Sequence, residues 1–168
     1  GVTSFTVTVP TVNDTTYENN ENFSLTVGGK IGTGTITDTA DLPKVSSVVG
    51  DSVAEGTANT FTVTLSNAST TTTSVNLALA NGTATIGTDT GTTYSVSYNG
   101  GTTYTTLAGS TATVPVGATS FLVKVATVDD TTFEGTESYT LTATANGVSA
   151  IGTGTITDTA DLPKVSSV

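Results

Sequence analysis

The stretch IGTGTITDTADLPKVSSV stands at Ile31–Val48 and again, without a single change, at Ile151–Val168, an offset of 120 residues. Upstream of it, GVTSFTVTVPTVNDTTYENNENFSLTV (Gly1–Val27) aligns with GATSFLVKVATVDDTTFEGTESYTLTA (Gly117–Ala143) at an offset of 116. The difference between the offsets falls in one turn, GGK against TANGVSA. Identity over so long a stretch does not arise by chance, so the chain reads as a window on a tandem array. The expected division is 1–44 as the late part of one repeat, 45–160 as a complete repeat, and 161–168 as linker and the start of the next. Gly1 resembles mid-domain sequence, so the lack of a visible leader has no weight.

About a quarter of the residues are Thr, Val is common, and no window shows an apolar period of 3.6. β-branched side chains suit a pleated, half-buried surface. Alternation and turn residues then place seven strands in the complete repeat. They are A (Val45–Val53), B (Ala58–Ser66), C (Ser74–Ala80), D (Thr111–Val116), E (Ser120–Val128), F (Ser138–Ala145) and G (Ile151–Thr157). The excursion Asn81–Ser110 contains YSVSYNGGTTYTTL, two short strands around an NGG turn. The fold class expected is all-β, an antiparallel two-sheet sandwich of immunoglobulin-like type. Gly1–Ala40 holds only counterparts of E, F and G.

Acidic side chains number 14 and basic ones 4, all Lys, for a net charge of −10. Phosphate backbones and anionic membranes both select basic faces, so neither nucleic acid nor membrane insertion is expected. No apolar run is long enough to span a bilayer. With no His, Cys or Arg, the usual general bases, nucleophiles and anion clamps are missing, and an enzyme is not expected. The absence of Cys also removes disulfides and zinc–thiolate sites.

The acids are not spread evenly. In an up-and-down count the ends of A, C, E and G share one pole, and the acids fall there. Glu55 follows A, Asp89 follows C, Asp129, Asp130, Glu134 and Glu137 follow E, and Asp158 and Asp161 follow G. One acidic loop is ordinary turn chemistry. Several on one pole need neutralising, since two carboxylates about 4 Å apart repel by roughly 1 kcal/mol in water and by more near a protein surface. Hard oxygen ligands without His or Cys suit Ca²⁺ better than Mg²⁺, which keeps its waters and a stricter octahedron. EF-hand and GGxGxD patterns are both absent.

The ordered segments SVAEG, NGTATIGTDT, VDDTTFEGTESYTLT and IGTGTITDTAD resemble the signature segments of Calx-beta domains, the calcium-binding sandwiches of sodium–calcium exchangers and of large bacterial adhesins. The resemblance implies Ca²⁺ ligation by Glu55, Asp89, Asp129, Asp130, Glu134, Glu137 and Asp158, with Asp161 as a linker-side ligand. It extends to the earlier copy, where Asn13, Asp14, Glu18, Glu21, Asp38 and Asp41 occupy the matching positions. Asn13 replaces the first Asp and should weaken that site. The interrupted DTAD departs from the family's usual run of Asp, and the hairpin after Asp89 is an insertion. The Thr-rich, tandem character is similar to adhesin and biofilm-matrix repeats. That likeness implies an extracellular, cell-surface or secreted filament location, with neighbouring repeats as partners and an unknown distal target.

The function expected is a calcium-stiffened spacer or shaft. Pro43 and Pro163 in the linker fix their own φ and restrict Leu42 and Leu162. Two alternatives stay open. Rows of Thr could bind carbohydrate or ice, although few aromatics and no Trp are available for sugar stacking. The incomplete Gly1–Ala40 unit could also be completed by strands of another chain, giving a filament.

Overall fold

The computed structural model describes residues 1–165, so Ser166–Val168 of the expected third unit lie outside the described residues. Two five-stranded sheets face each other. One has the order β3 (Val45–Gly50), β5 (Asn59–Leu65), β10 (Ser120–Val125), β7 (Ser95–Ser97), β8 (Thr105–Thr106). The other runs β4 (Ser52–Ala54), β12 (Val148–Thr157), β11 (Thr136–Ala145), β6 (Thr73–Asn81), β9 (Thr111–Val114). A separate hairpin, β1 (Glu21–Val27) with β2 (Lys30–Ile36), precedes them. Among the described residues there is no helix, and none therefore is long and apolar enough to cross a membrane.

Period-two alternation builds the core. Phe61, Val63 and Leu65 point inward from β5, Phe121, Val123 and Val125 from β10, and Tyr139, Leu141 and Ala143 from β11. Phe61 and Tyr139 meet edge to face, with centroids 5.7 Å apart and planes at 72°, the arrangement favoured by the aromatic quadrupole.

The sheets contain more strands than the seven expected. The NGG excursion supplies two, paired at Ser95↔Thr106 and Val96↔Thr105. Strand A supplies another, because it breaks in two. β3 pairs antiparallel with β5, whereas β4 pairs parallel with β12 in the opposite sheet. Asp51 holds the crossing: its carbonyl accepts from Asn59 Nδ2 and from Thr155 N, both at 3.1 Å, and its carboxylate accepts from Thr60 N at 2.9 Å. Gly50 just before it presses against the Thr153 backbone and the Phe61 ring, leaving no space for a Cβ.

The first copy behaves differently from the second. Counterparts of F and G form β1 and β2, turning through Gly28 (φ 57°) and Gly29 (φ 75°), the primed turn of a tight hairpin. The counterpart of E forms no strand. Phe5, Val7 and Val9 are 71%, 46% and 44% exposed, while their equivalents Phe121, Val123 and Val125 are 3%, 0% and 0% exposed. β10 is a strand because β5 and β7 bond it on either side. Residues 1–44 include no equivalent of either.

This contrast gives a paired test. Phe121→Ala should cost about 3–5 kcal/mol, the usual range for a buried Phe. Phe5→Ala, the same change at the equivalent position, should stay within about 0.5 kcal/mol. Denaturant midpoints of the two variants check this.

Candidate metal centre

The parity of the strands delivers the acidic loops to one pole. Glu55 stands just past β4, and Asp89 lies between β6 and β7. Asp129, Asp130 and Glu134 occupy the β10–β11 connection, Glu137 opens β11, and Asp158 and Asp161 follow β12. Carboxylate oxygens come within 4.8 Å of one another in three groups: Glu55, Asp129, Asp161; Glu55, Asp130, Glu134; and Asp89, Glu134, Glu137. Glu55 and Glu134 each belong to two of them. Asp158 belongs to none and is 5% exposed.

Backbone amides set the loop. Asp158 accepts from Glu134 N at 2.9 Å through Oδ2 and from Asp161 N at 3.3 Å through Oδ1, joining the β10–β11 loop to the linker. Asp130 Oδ1 caps Thr132 N at 2.6 Å, and Asp89 Oδ2 accepts from Thr85 N at 2.6 Å. Glu55 Oε1 accepts from Asp130 N at 3.2 Å. Its other oxygen, Oε2, is buried and has no donor at all. An unpartnered buried acceptor is costly unless something positive meets it.

The electrostatics agree. Burial, followed by Asp158, Asp130 and Asp129, pushes the Glu55 carboxyl above its ordinary range, against the Asp130 amide that lowers it. Glu134 is raised by partial burial and then by Asp89, Asp130 and Asp158. Glu137 is raised by burial and then by Asp89, Glu134 and Glu55. No lysine figures among the influences on these three groups. The site is an oxygen-only cradle with surplus negative charge, which fits a hard cation.

The first copy reproduces the loop but not the cradle. Asp38 accepts from Glu18 N at 2.9 Å and Asp41 N at 3.4 Å, and Asp14 caps Thr16 N at 2.7 Å. Asp14, Glu18, Glu21 and Asp38 line a cavity of about 330 Å³. Glu18 is raised chiefly by Glu21, and Asp41 by partial burial and then Asp38. Asn13 stands apart from that cavity, its amide donating to the Asp14 carbonyl at 3.3 Å. Among the described residues, no three carboxylates of this copy converge as those of the second do. The equivalents of Glu55 and Asp89, which would approach from the other side, have no counterpart in the first 44 residues.

Asp51, to which the sequence assigns no role, serves the β3–β4 crossing and not the acidic pole. The backbone amides of Asp130, Glu134 and Asp161 were not foreseen either. Amides carry no side-chain signature in a sequence.

A pH test follows from the raised carboxyls. A carboxyl raised on folding stabilises the folded chain below its ordinary value, 4.5 for Glu55, and loses that contribution as pH rises through the raised value. In chelator, the chain should therefore melt higher at about pH 5 than at about pH 7. Glu55→Gln should shrink the difference, as read by calorimetry.

A family model described as "Calx-beta domain" matches residues 1–49, 38–90, 49–107 and 92–159. A search of curated proteins gives no match. Among solved structures, the apo-form Calx CBD1 domain is similar at 18% identity, covering 70% of this chain and 97% of that one, with a TM-score of 0.48. CBD12 from CALX1.2 is similar at 20% identity over 67% of this chain and 45% of its own, with a TM-score of 0.47. Titin kinase with its flanking domains is similar at 8% identity over 86% of this chain and 22% of its own, with a TM-score of 0.41.

Proposed function

The chain belongs to the Calx-beta domain family, and from that premise we propose that it is a non-enzymatic calcium-binding structural repeat. In this reading it is a spacer or shaft element of an extracellular adhesin, surface filament or secreted matrix, stiffened by Ca²⁺. Neighbouring repeats of the same chain or filament are its partners. The observation that carries the calcium reading is Glu55 Oε2, a buried acceptor without a donor among carboxylates from four separate loops.

Glu55, Asp129 and Asp161 would hold one ion. Glu55, Asp130 and Glu134 would hold a second, and Asp89, Glu134 and Glu137 a third. Glu55 and Glu134 would then bridge adjacent ions. Asp158 orients the loop through two amides and contributes negative charge from beneath. The first copy, which gathers fewer carboxylates, would bind more weakly through Asp14, Glu18, Glu21, Asp38 and Asp41.

The Thr rows give little support to an ice- or sugar-binding face. Register places Thr62 beside Leu122 and Thr60 beside Lys124 on one sheet, and Thr142 beside Ala78 on the other, so hydroxyls do not form a regular lattice. Strand complementation by another chain has one observation in its favour, the exposure of Val2, Phe5, Val7 and Val9. A dimeric mass in sedimentation that Phe5→Asp abolishes would favour it.

Chelation tests the main reading. An extracellular module binds at about 10⁻⁴–10⁻³ M. At a hundredfold excess over Kd each ion adds about 2.7 kcal/mol, so EDTA should lower the melting temperature by roughly 5–10 °C per strongly bound ion. Glu55→Gln should lose most of that shift and Asn13→Ala little of it. An identical melting curve with and without EDTA would remove calcium from the function.

A further inference from the structure

The acidic loop of the first copy also forms a joint. Tyr17 makes a parallel bridge to Ser69, its amide donating to Ala68 O at 2.9 Å and its carbonyl accepting from Thr70 N at 2.9 Å. The Thr70 hydroxyl donates to the same carbonyl at 3.3 Å. The linker is held beside it. Asn67 Nδ2 donates to Asp41 O, Lys44 N donates to Ser66 Oγ at 3.0 Å, and Asn146 Nδ2 donates to Pro43 O at 2.7 Å. Pro43 is fully buried, and Thr16, Tyr17 and Glu18 are half-buried. The acidic end of one unit thus sits on the opposite end of the next, on the β5–β6 loop and the β11–β12 turn.

The same loop recurs at the far acidic end, where it is more exposed among the described residues. Three hydrogen bonds fix both copies alike: Asp14 to Thr16 N at 2.7 Å against Asp130 to Thr132 N at 2.6 Å; Asp38 to Glu18 N against Asp158 to Glu134 N, both at 2.9 Å; and Asp38 to Asp41 N at 3.4 Å against Asp158 to Asp161 N at 3.3 Å. The cover differs. Phe133, the equivalent of Tyr17, is 41% exposed, Leu162 is 49% exposed, and Pro163 is exposed where Pro43 is buried.

We propose that Phe133, with Leu162 and Pro163, is a docking surface for a further copy of this module, received by that copy's Ala68–Thr70 edge and Asn146. Replacing Tyr by Phe costs the contact nothing. The Tyr17 hydroxyl turns back to Asn19 of its own loop at 3.4 Å, and Tyr17 bonds across the joint through its own backbone amide and carbonyl. In a free second chain Ser69 is already taken by that chain's own Tyr17, so the occupant must follow in the same polypeptide. The contact joins unlike ends, a head-to-tail arrangement that adds modules in one direction. It rests on the reading of the chain as a link in an array but not on calcium.

The test lengthens the full chain at Val168 with Val49–Val168 of a second copy, which continues the repeat in register. The chain has no Cys, so introduced cysteines are the sole labelling sites. Spin labels at Thr33→Cys and Thr62→Cys of the 168-residue chain report the existing joint, and labels at Thr62→Cys in both copies report the new one. Both should give a single narrow distance. Phe133→Pro, which removes the donating amide, should abolish the narrow distance across the new joint alone. Asn146→Gly in the receiving copy should broaden it, and that variant keeps a turn residue that Gly28 already occupies in the first hairpin. A broad distribution in the lengthened chain that neither variant alters would overturn the proposal. Repeating the measurement in EDTA separates the two ideas. A narrow distance retained in EDTA leaves the docking intact and removes calcium as the agent that stiffens the joint, whereas a distance that broadens only in EDTA makes the docking depend on calcium and overturns it as stated.

Discussion

A β-strand exists only where a neighbour accepts its backbone hydrogen bonds, and this rule divides two near-copies of one sequence. SFLVKV is strand β10 between β5 and β7, with its apolar face shut inside the sandwich. SFTVTV, with the same alternation, is exposed and irregular. The acidic pole depends on the same pairing. Its loops converge because the strands beneath them are held side by side, and where the partner strands are missing the carboxylates lie further apart. Fold and site are one consequence of strand pairing.

The acidic pole is the point at which the fold works against itself. Folding brings together like charges that the unfolded chain keeps apart, and it buries one Glu55 oxygen without a donor. Such an arrangement is stable only with an added cation or at reduced charge. The amides that clamp Asp158 keep the loop in shape while the carboxylates repel. The scaffold is thus preset in hydrogen bonds, and charge balance is left to the solution.

Much of this was legible in the sequence, and for identifiable reasons. Alternation gave β5, β6, β10, β11 and β12 to within two or three residues at either end, because one face of each strand is buried. The convergence of the acidic loops followed from counting strands up and down. The break of strand A was not legible: Val recurs on both sides of Gly50 in VSSVVGDSVA, and only the contacts of Gly50 and Asp51 show why the chain changes sheets there. Nor was the joint. The bonds of Tyr17 across it run through main-chain atoms, and no residue type announces them. The Asp158 carboxylate was anticipated at the pole, but its place under the loop, with both oxygens accepting amides, depends on three-dimensional position alone.

The parallel pairing of β4 with β12 sets the mechanics of the module. β4 lies near the point where the chain enters and β12 near the point where it leaves, and Thr155 N to Asp51 O and Glu55 N to Thr157 O, both at 3.1 Å, bridge the two strands. Tension between the ends pulls these strands past each other along their length. The bridging bonds lie across the pull and share the load, so they must fail together instead of peeling one by one. The residue that closes this clamp, Glu55, is also the one with the orphaned oxygen. The backbone bond that closes the clamp and the unpartnered carboxylate oxygen of the acidic pole therefore belong to a single residue.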